Sequence, residues 1–273
     1  MSLIRVDRAQ TPLILAIPHG GTDIPPEYEP RFRSLWHARR DADWHMGALY
    51  AGLVEATIIA TDISRSIIDC NRDPSGVSLY PGQATTTLCP TTDFDGEALY
   101  REGEEPDESE ITDRRARWFD PYHTALAAEI ARLRAIHPAV VLYDCHSIRS
   151  IVPRLFDGEL PIFNIGTNNG TTCDVKLTDD VVDSLTDFDA DNWSAVINGR
   201  FKGGWTTRQY GRPEAGVHAI QMELSMRGYV DESETPHTAE NWPPPYVPSR
   251  AAPLRATIKQ VLTAALDFAK GHA

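Results

Sequence analysis

Along this chain, unbroken apolar runs alternate with stretches in which apolar residues recur every three or four positions. The runs at residues 13–17, 57–60, 139–142, 161–166, 194–199 and 217–225 are short and bounded by Pro, Gly or polar clusters, a pattern that predicts strands. Helical spacing appears first in Met46, Leu49, Tyr50 and Leu53, behind an Asp41 suited to cap the helix and an Asp43 placed for its first turn. Ile111, Trp118, Tyr122, Leu126, Ile130 and Leu133 mark a second helix over residues 106–137, which Pro121 should kink or divide. Residues 174–185 and, beyond Pro243-Pro244-Pro245, residues 249–269 predict two more. Between these elements Pro74, Gly76, Pro81 and Gly82 mark a long irregular loop.

Two of the predicted strands end in chemistry. The run at 139–142 continues through Tyr143-Asp144-Cys145-His146-Ser147, so Asp144 and His146 share one face of the strand and Cys145 takes the other. The run at 13–17 leads into His19-Gly20-Gly21-Thr22, whose glycines permit a sharp turn or a close backbone approach to a ligand. In open α/β sheets, ligands bind beyond the carboxyl ends of strands. A third strand holds Glu223 between apolar neighbours, a costly place for a carboxylate without a task or a partner.

Composition narrows the function. At 273 residues, 41% of them hydrophobic, the chain can bury one sizeable core, and a single domain over residues 1–273 is expected. The formal net charge of -13 argues against a nucleic-acid or anionic-membrane partner and leaves a small substrate. Cys70, Cys89, Cys145 and Cys173 form no C-x-x-C pair, which predicts reduced thiols. No signal-peptide pattern opens the chain, which predicts a cytoplasmic protein. The chain contains no G-x-S-x-G, Walker or G-x-G-x-x-G motif and no H-E-x-x-H. A hydrolytic metal needs about three protein ligands and an open position. His19, His146 and one of Asp23, Asp41 or Asp43 meet that need.

The ordered segments Ile17-Pro18-His19-Gly20-Gly21-Thr22, Asp41-Ala42-Asp43-Trp44-His45, Asp69-Cys70-Asn71-Arg72, Leu79-Tyr80-Pro81-Gly82, Asp144-Cys145-His146-Ser147-Ile148-Arg149 and Asn198-Gly199-Arg200-Phe201-Lys202-Gly203-Gly204 carry a resemblance over nearly the whole chain. It resembles the N-formylglutamate amidohydrolases, the deformylases of bacterial histidine degradation. More distantly it is similar to the zinc-dependent exopeptidases and aspartoacylases. That superfamily grips a carboxylate with an Asn-Arg pair, matched here by Asn71-Arg72, but usually carries an acidic ligand three residues after the first His, where this chain has Thr22.

The resemblance implies an α/β fold of three layers, with a mixed, mostly parallel central sheet of about eight strands between helices. It implies metal-dependent hydrolysis of N-formyl-L-glutamate to formate and L-glutamate, with zinc as the metal and His19, Asp43 and His146 as ligands; Asp43 is preferred because its flanking residues belong to the resemblance. Glu223 is the candidate general base and Arg65 the candidate oxyanion stabiliser. Asn71 and Arg72 would hold one substrate carboxylate, with Arg149, Lys202 and Arg208 as candidates for the second. The rival readings are a deacylase of another N-acyl amino acid, a non-catalytic binder of acidic metabolites, and catalysis by a Cys145 nucleophile.

Overall fold

In chain order the elements are β1 (Ile4–Asp7), β2 (Leu13–Ile17), α1 (Leu35–Arg39), α2 (Met46–Tyr50), β3 (Thr57–Thr61), α3 (Glu108–Arg114) and α4 (Asp120–Arg134). After these come β4 (Val140–Ile148), β5 (Phe163–Gly166), α5 (Val175–Asp183), β6 (Ala195–Ile197), α6 (Trp205–Tyr210), β7 (Val217–Ser225) and α7 (Pro248–Gly271). They come from a computed structural model that describes residues 4–185 and 194–271. Among the described residues the strands form one seven-stranded mixed sheet in the order β1-β3-β2-β4-β7-β5-β6. The inner strands β3, β2, β4 and β7 run parallel, β1 and β5 join them antiparallel, and β6 runs parallel to β5. No helix among the described residues is long and apolar enough to cross a membrane.

Alternation along the strands sorts side chains between two buried layers. Leu13, Leu15, Val141, Tyr143, Cys145, Ile220 and Met222 face α7, α5 and α2 through Leu254, Ile258, Val261, Leu177, Val181 and Leu49. Ile14, Ala16, Val140, Leu142 and Ala219 face α4 through Tyr122, Leu126, Ile130 and Leu133. Helices therefore cover both faces, as a sheet buried on both sides requires. The chain leaves β2 for β3 on one side and later returns to place β4 on the other. Strand order reverses between β2 and β4, which opens a crevice at their carboxyl ends.

One helical expectation takes a specific form and another needs correction. The division expected near Pro121 is a π-helical turn at Arg115–Phe119, which separates α3 from α4 and leaves the proline in the first turn of α4. Asp41 does not cap α2. His45 occupies the N-cap position with a left-handed backbone (φ 64°), so Asp41 and Asp43 both precede the helix. Freed from capping, Asp41 accepts the Phe94 N–H at 2.6 Å and pairs with Arg149. Strand β1, α1 and α6 had no counterpart in the periodicity, being short elements of four to six residues.

Candidate metal centre and substrate pocket

Three side chains meet at the crevice. His19 lies just past the end of β2, His146 near the end of β4, and Asp43 in the segment before α2, tied to the β2 turn by its N–H donated to the His19 carbonyl at 2.9 Å. The His146 Nδ1 lies 3.2 Å from His19 Nδ1 and 3.3 Å from Asp43 Oδ2, and His19 Nδ1 lies 3.8 Å from that same oxygen. Donors each held about 2.0–2.1 Å from a tetrahedral ion stand roughly 3.3 Å apart, so this donor set has the spacing a metal requires. All three residues are buried. Neither Asp41 nor Asp23 joins them: Asp41 is engaged with Arg149, and Asp23 is exposed, with its backbone bonded to the chain at Asp62 and Ser64.

The outward nitrogens of both imidazoles meet carboxylates, the usual way a ligating ring is oriented. The His19 Nε2 lies 2.7 Å from Asp69 Oδ1, and His146 Nε2 lies 3.0 Å from Asp144 Oδ1. Burial, aided by Arg65, pushes the His19 pKa down, which favours the neutral imidazole that binds metals. Asp69 is held well below the usual carboxylate range: burial works against this, but Arg72, His19 and Arg65 outweigh it.

Arg65, the expected oxyanion stabiliser, lines the pocket and also pairs with two acids. One nitrogen lies 3.3 Å from Asp43 Oδ1 and another 2.8 Å from Asp69 Oδ2, so the guanidinium braces a triad carboxylate and its outer neighbour. Asn71 also lines the pocket and is hydrogen-bonded to its neighbours. Its amide nitrogen donates to Asp144 Oδ2 at 3.2 Å and touches His146 Nε2 at 2.8 Å, while its oxygen accepts the Thr206 N–H at 2.8 Å. Gly204 lies so close that a Cβ there would stand 2.4 Å from the Asn71 amide, which explains the glycine. Gly21, by contrast, serves a tight approach to the backbone at Asp62 rather than to a ligand.

Above the triad opens a pocket lined by polar Arg65, Arg72, Arg200, Gln221 and Glu223 and by apolar Phe94, Ile148, Leu155 and Phe201. Glu223 sits opposite His146 in the β4–β7 register. Burial raises its pKa to about 8, with His146 opposing. The Arg72 guanidinium donates to the Thr86 carbonyl at 3.0 Å and approaches Asp69 at 3.6 Å. The three remaining arginine and lysine candidates lie outside this lining. Arg149 is neutralised by Asp41 and Asp95 at 3.3 and 3.1 Å, and Arg208 donates to the carbonyls of Gly203 and Leu79. Lys202 is fixed through its backbone to Tyr80 and Asn168. Sequence reasoning had passed over Arg200 and Asp69, although both stood inside the segments that carried the resemblance.

Cys145 lies on the opposite face of β4, in the core, with burial raising its pKa well above the ordinary thiol value, so it has no route to this pocket. A second histidine-carboxylate group, His37 with Asp93 and Glu97, spends Asp93 on Arg40 at 3.2 Å, and a cation already fills the role of an ion there.

A mixed α/β sheet with a buried His-Asp-His set at its strand tips, able to hold a metal ion, and a buried carboxyl beside it has the form of a hydrolase site. The sequence model of the N-formylglutamate amidohydrolase family matches residues 11–230, and the chain belongs to that family. It is 41% identical over 265 residues to an N-formylglutamate deformylase of Pseudomonas aeruginosa, covering 96% of each chain. It is 38% identical over 263 residues to one of Pseudomonas putida, covering 96% of this chain and 94% of that protein. The crystal structure of an N-formylglutamate amidohydrolase from Ralstonia eutropha superposes with a TM-score of 0.79 at 21% identity, over 100% of both chains, and shares the fold.

Proposed function

We propose that this chain hydrolyses N-formyl-L-glutamate to formate and L-glutamate, in the cytoplasm and within histidine degradation, as one catalytic domain. The observation that carries the reading is the pocket itself, in which Glu223 and Arg72 stand beside the His19-Asp43-His146 set. Two nitrogen donors and one carboxylate oxygen suit zinc. A divalent metal bound there supplies Lewis acidity, favouring charge on a carbonyl oxygen and deprotonation of a nearby water.

The protein's own residues do the rest. Asp69 and Asp144 hold the two imidazoles with Nδ1 inward, and Arg65 fixes Asp43 and Asp69 against each other. Arg72 receives the α-carboxylate of the substrate, because its guanidinium reaches the pocket and its nearest carboxylate, at 3.6 Å, leaves it incompletely paired. Glu223 takes a proton from the attacking water as the new C–O bond forms at the formyl carbon. It returns that proton to the amine nitrogen as the C–N bond breaks. A carboxyl with a pKa near 8 can both hold and release a proton near neutrality. Formate release from N-formyl-L-glutamate, measured together with metal content per chain, tests the reading. Metal-loaded protein that releases no formate would overturn it.

A further inference from the structure

Most buried cations of this protein are paired with acids. Arg65 is held by Asp43 and Asp69, Arg149 by Asp41 and Asp95, and Arg40 by Asp93 and Asp95. Arg208 has no carboxylate partner among the described residues but lies outside the pocket, whereas Arg200, half-buried, lines it. Its Nε donates to the Leu155 carbonyl and its Nη2 to the Ala84 carbonyl, both at 2.7 Å, and it has no carboxylate partner among the described residues. Backbone carbonyls orient a guanidinium without neutralising it. The group lies against the Tyr80 and Phe201 rings at 5.3 and 5.4 Å and lines the same pocket as the triad. Arg72 lines the same pocket, so two guanidinium groups border one space; burial lowers the Arg200 pKa, with Tyr80 and Glu223 opposing. A dianion in that pocket would give each guanidinium a carboxylate to bind.

The two arginines differ in what they reach. Arg72 touches Asp69, which touches His19, and so belongs to the metal end. Arg200 is fastened to the loop bearing Tyr80 and Ala84 and to Leu155, beside the apolar wall of Ile148, Leu155 and Phe201. An N-formyl amino acid has its α-carboxylate next to the scissile amide, and an acidic side chain carries its second carboxylate two methylenes farther on. We propose that Arg200 binds the side-chain carboxylate and sets the preference for an acidic N-formyl amino acid; this deepens the deformylase reading and rests on it.

The test compares kcat/KM on N-formyl-L-glutamate and its uncharged near-isostere N-formyl-L-glutamine, for wild type, Arg200→Gln and Arg200→Lys, each checked for fold by thermal melting. The readout is the ratio between the two substrates, which a general loss from loosening the Tyr80 loop leaves unchanged. In Arg200→Gln the preference for glutamate should collapse by about ten- to hundredfold, the share of a charged bidentate contact. Arg200→Lys, which keeps the charge without the fork, should retain a preference between the two. An unchanged ratio in Arg200→Gln overturns the proposal. If that variant does not fold, a wild-type ratio in Arg200→Lys overturns it and a reduced one supports it. Failure of wild type on every N-formyl amino acid would instead remove the deformylase reading itself.

Discussion

Replacing Glu223 by Gln separates catalysis from structure because the local geometry predicts different sizes for the two effects. The carboxylate is buried at 8% exposure, and the hydrogen bond recorded for it is the weak 3.3 Å donation from Gln221 to Oε2. It has no ion-pair partner among the described residues. Gln keeps the volume and an oxygen that accepts from Gln221, and it orphans no cation. The change in stability should therefore stay within ~1 kcal/mol, rather than the roughly 3–5 kcal/mol lost when a buried pair is broken. What Gln cannot do is accept the proton of the attacking water. General acid–base catalysis is worth about 10²–10⁴ in rate, or roughly 3–5 kcal/mol of barrier. Formate release under saturating substrate gives kcat, metal analysis gives occupancy, and a thermal melt reports the fold. The expected variant is folded, metal-loaded and slow by that factor. A folded, metal-loaded variant turning over near the wild-type rate would refute the assignment, and a large fall in Tm would show that Glu223 has a structural partner.

His19→Ala, His146→Ala and Asp43→Ala should each lose bound metal together with activity, because a three-donor set has no spare ligand; wild-type metal content in any purified variant would exclude that residue. Arg72→Ala should lower kcat/KM on N-formyl-L-glutamate by about ten- to hundredfold. An N-formyl amine lacking the α-carboxylate should be hydrolysed equally slowly by wild type and variant, and a further loss on that analogue would contradict the clamp. His123 lies buried between the Cys70 carbonyl and Tyr210, and burial lowers its pKa from the ordinary 6.5 to about 4. The unfolded chain therefore binds a proton that the folded chain refuses, and stability is lost as pH falls from about 6.5 towards 4, by up to ~3 kcal/mol. Urea melts at several pH values should show a shallower acid loss in His123→Gln, and identical slopes would refute the linkage.

Local pattern determined much of this protein. The apolar runs became β2, β3, β4, β5 and β7 because a buried strand must be apolar on each face that packs, and that demand is written into consecutive residues. The same alternation placed His146 and Cys145 on opposite faces, and position at a strand tip marks His19 and His146 in the sequence alone. Only the tertiary structure decided which charges are used up. Residue type and spacing do not separate Asp41, Asp43 and Asp23, yet one pairs with Arg149, one turns toward two histidines and one faces solvent. Arg149, Lys202 and Arg208 read as well as Arg200 in a string of residues, but which of them a carboxylate neutralises and which reaches the pocket depends on neighbours far away in the chain. Secondary structure follows from periods of two and 3.6 residues. Electrostatic pairing follows from distances of about 3 Å between segments that only the folded sheet brings together.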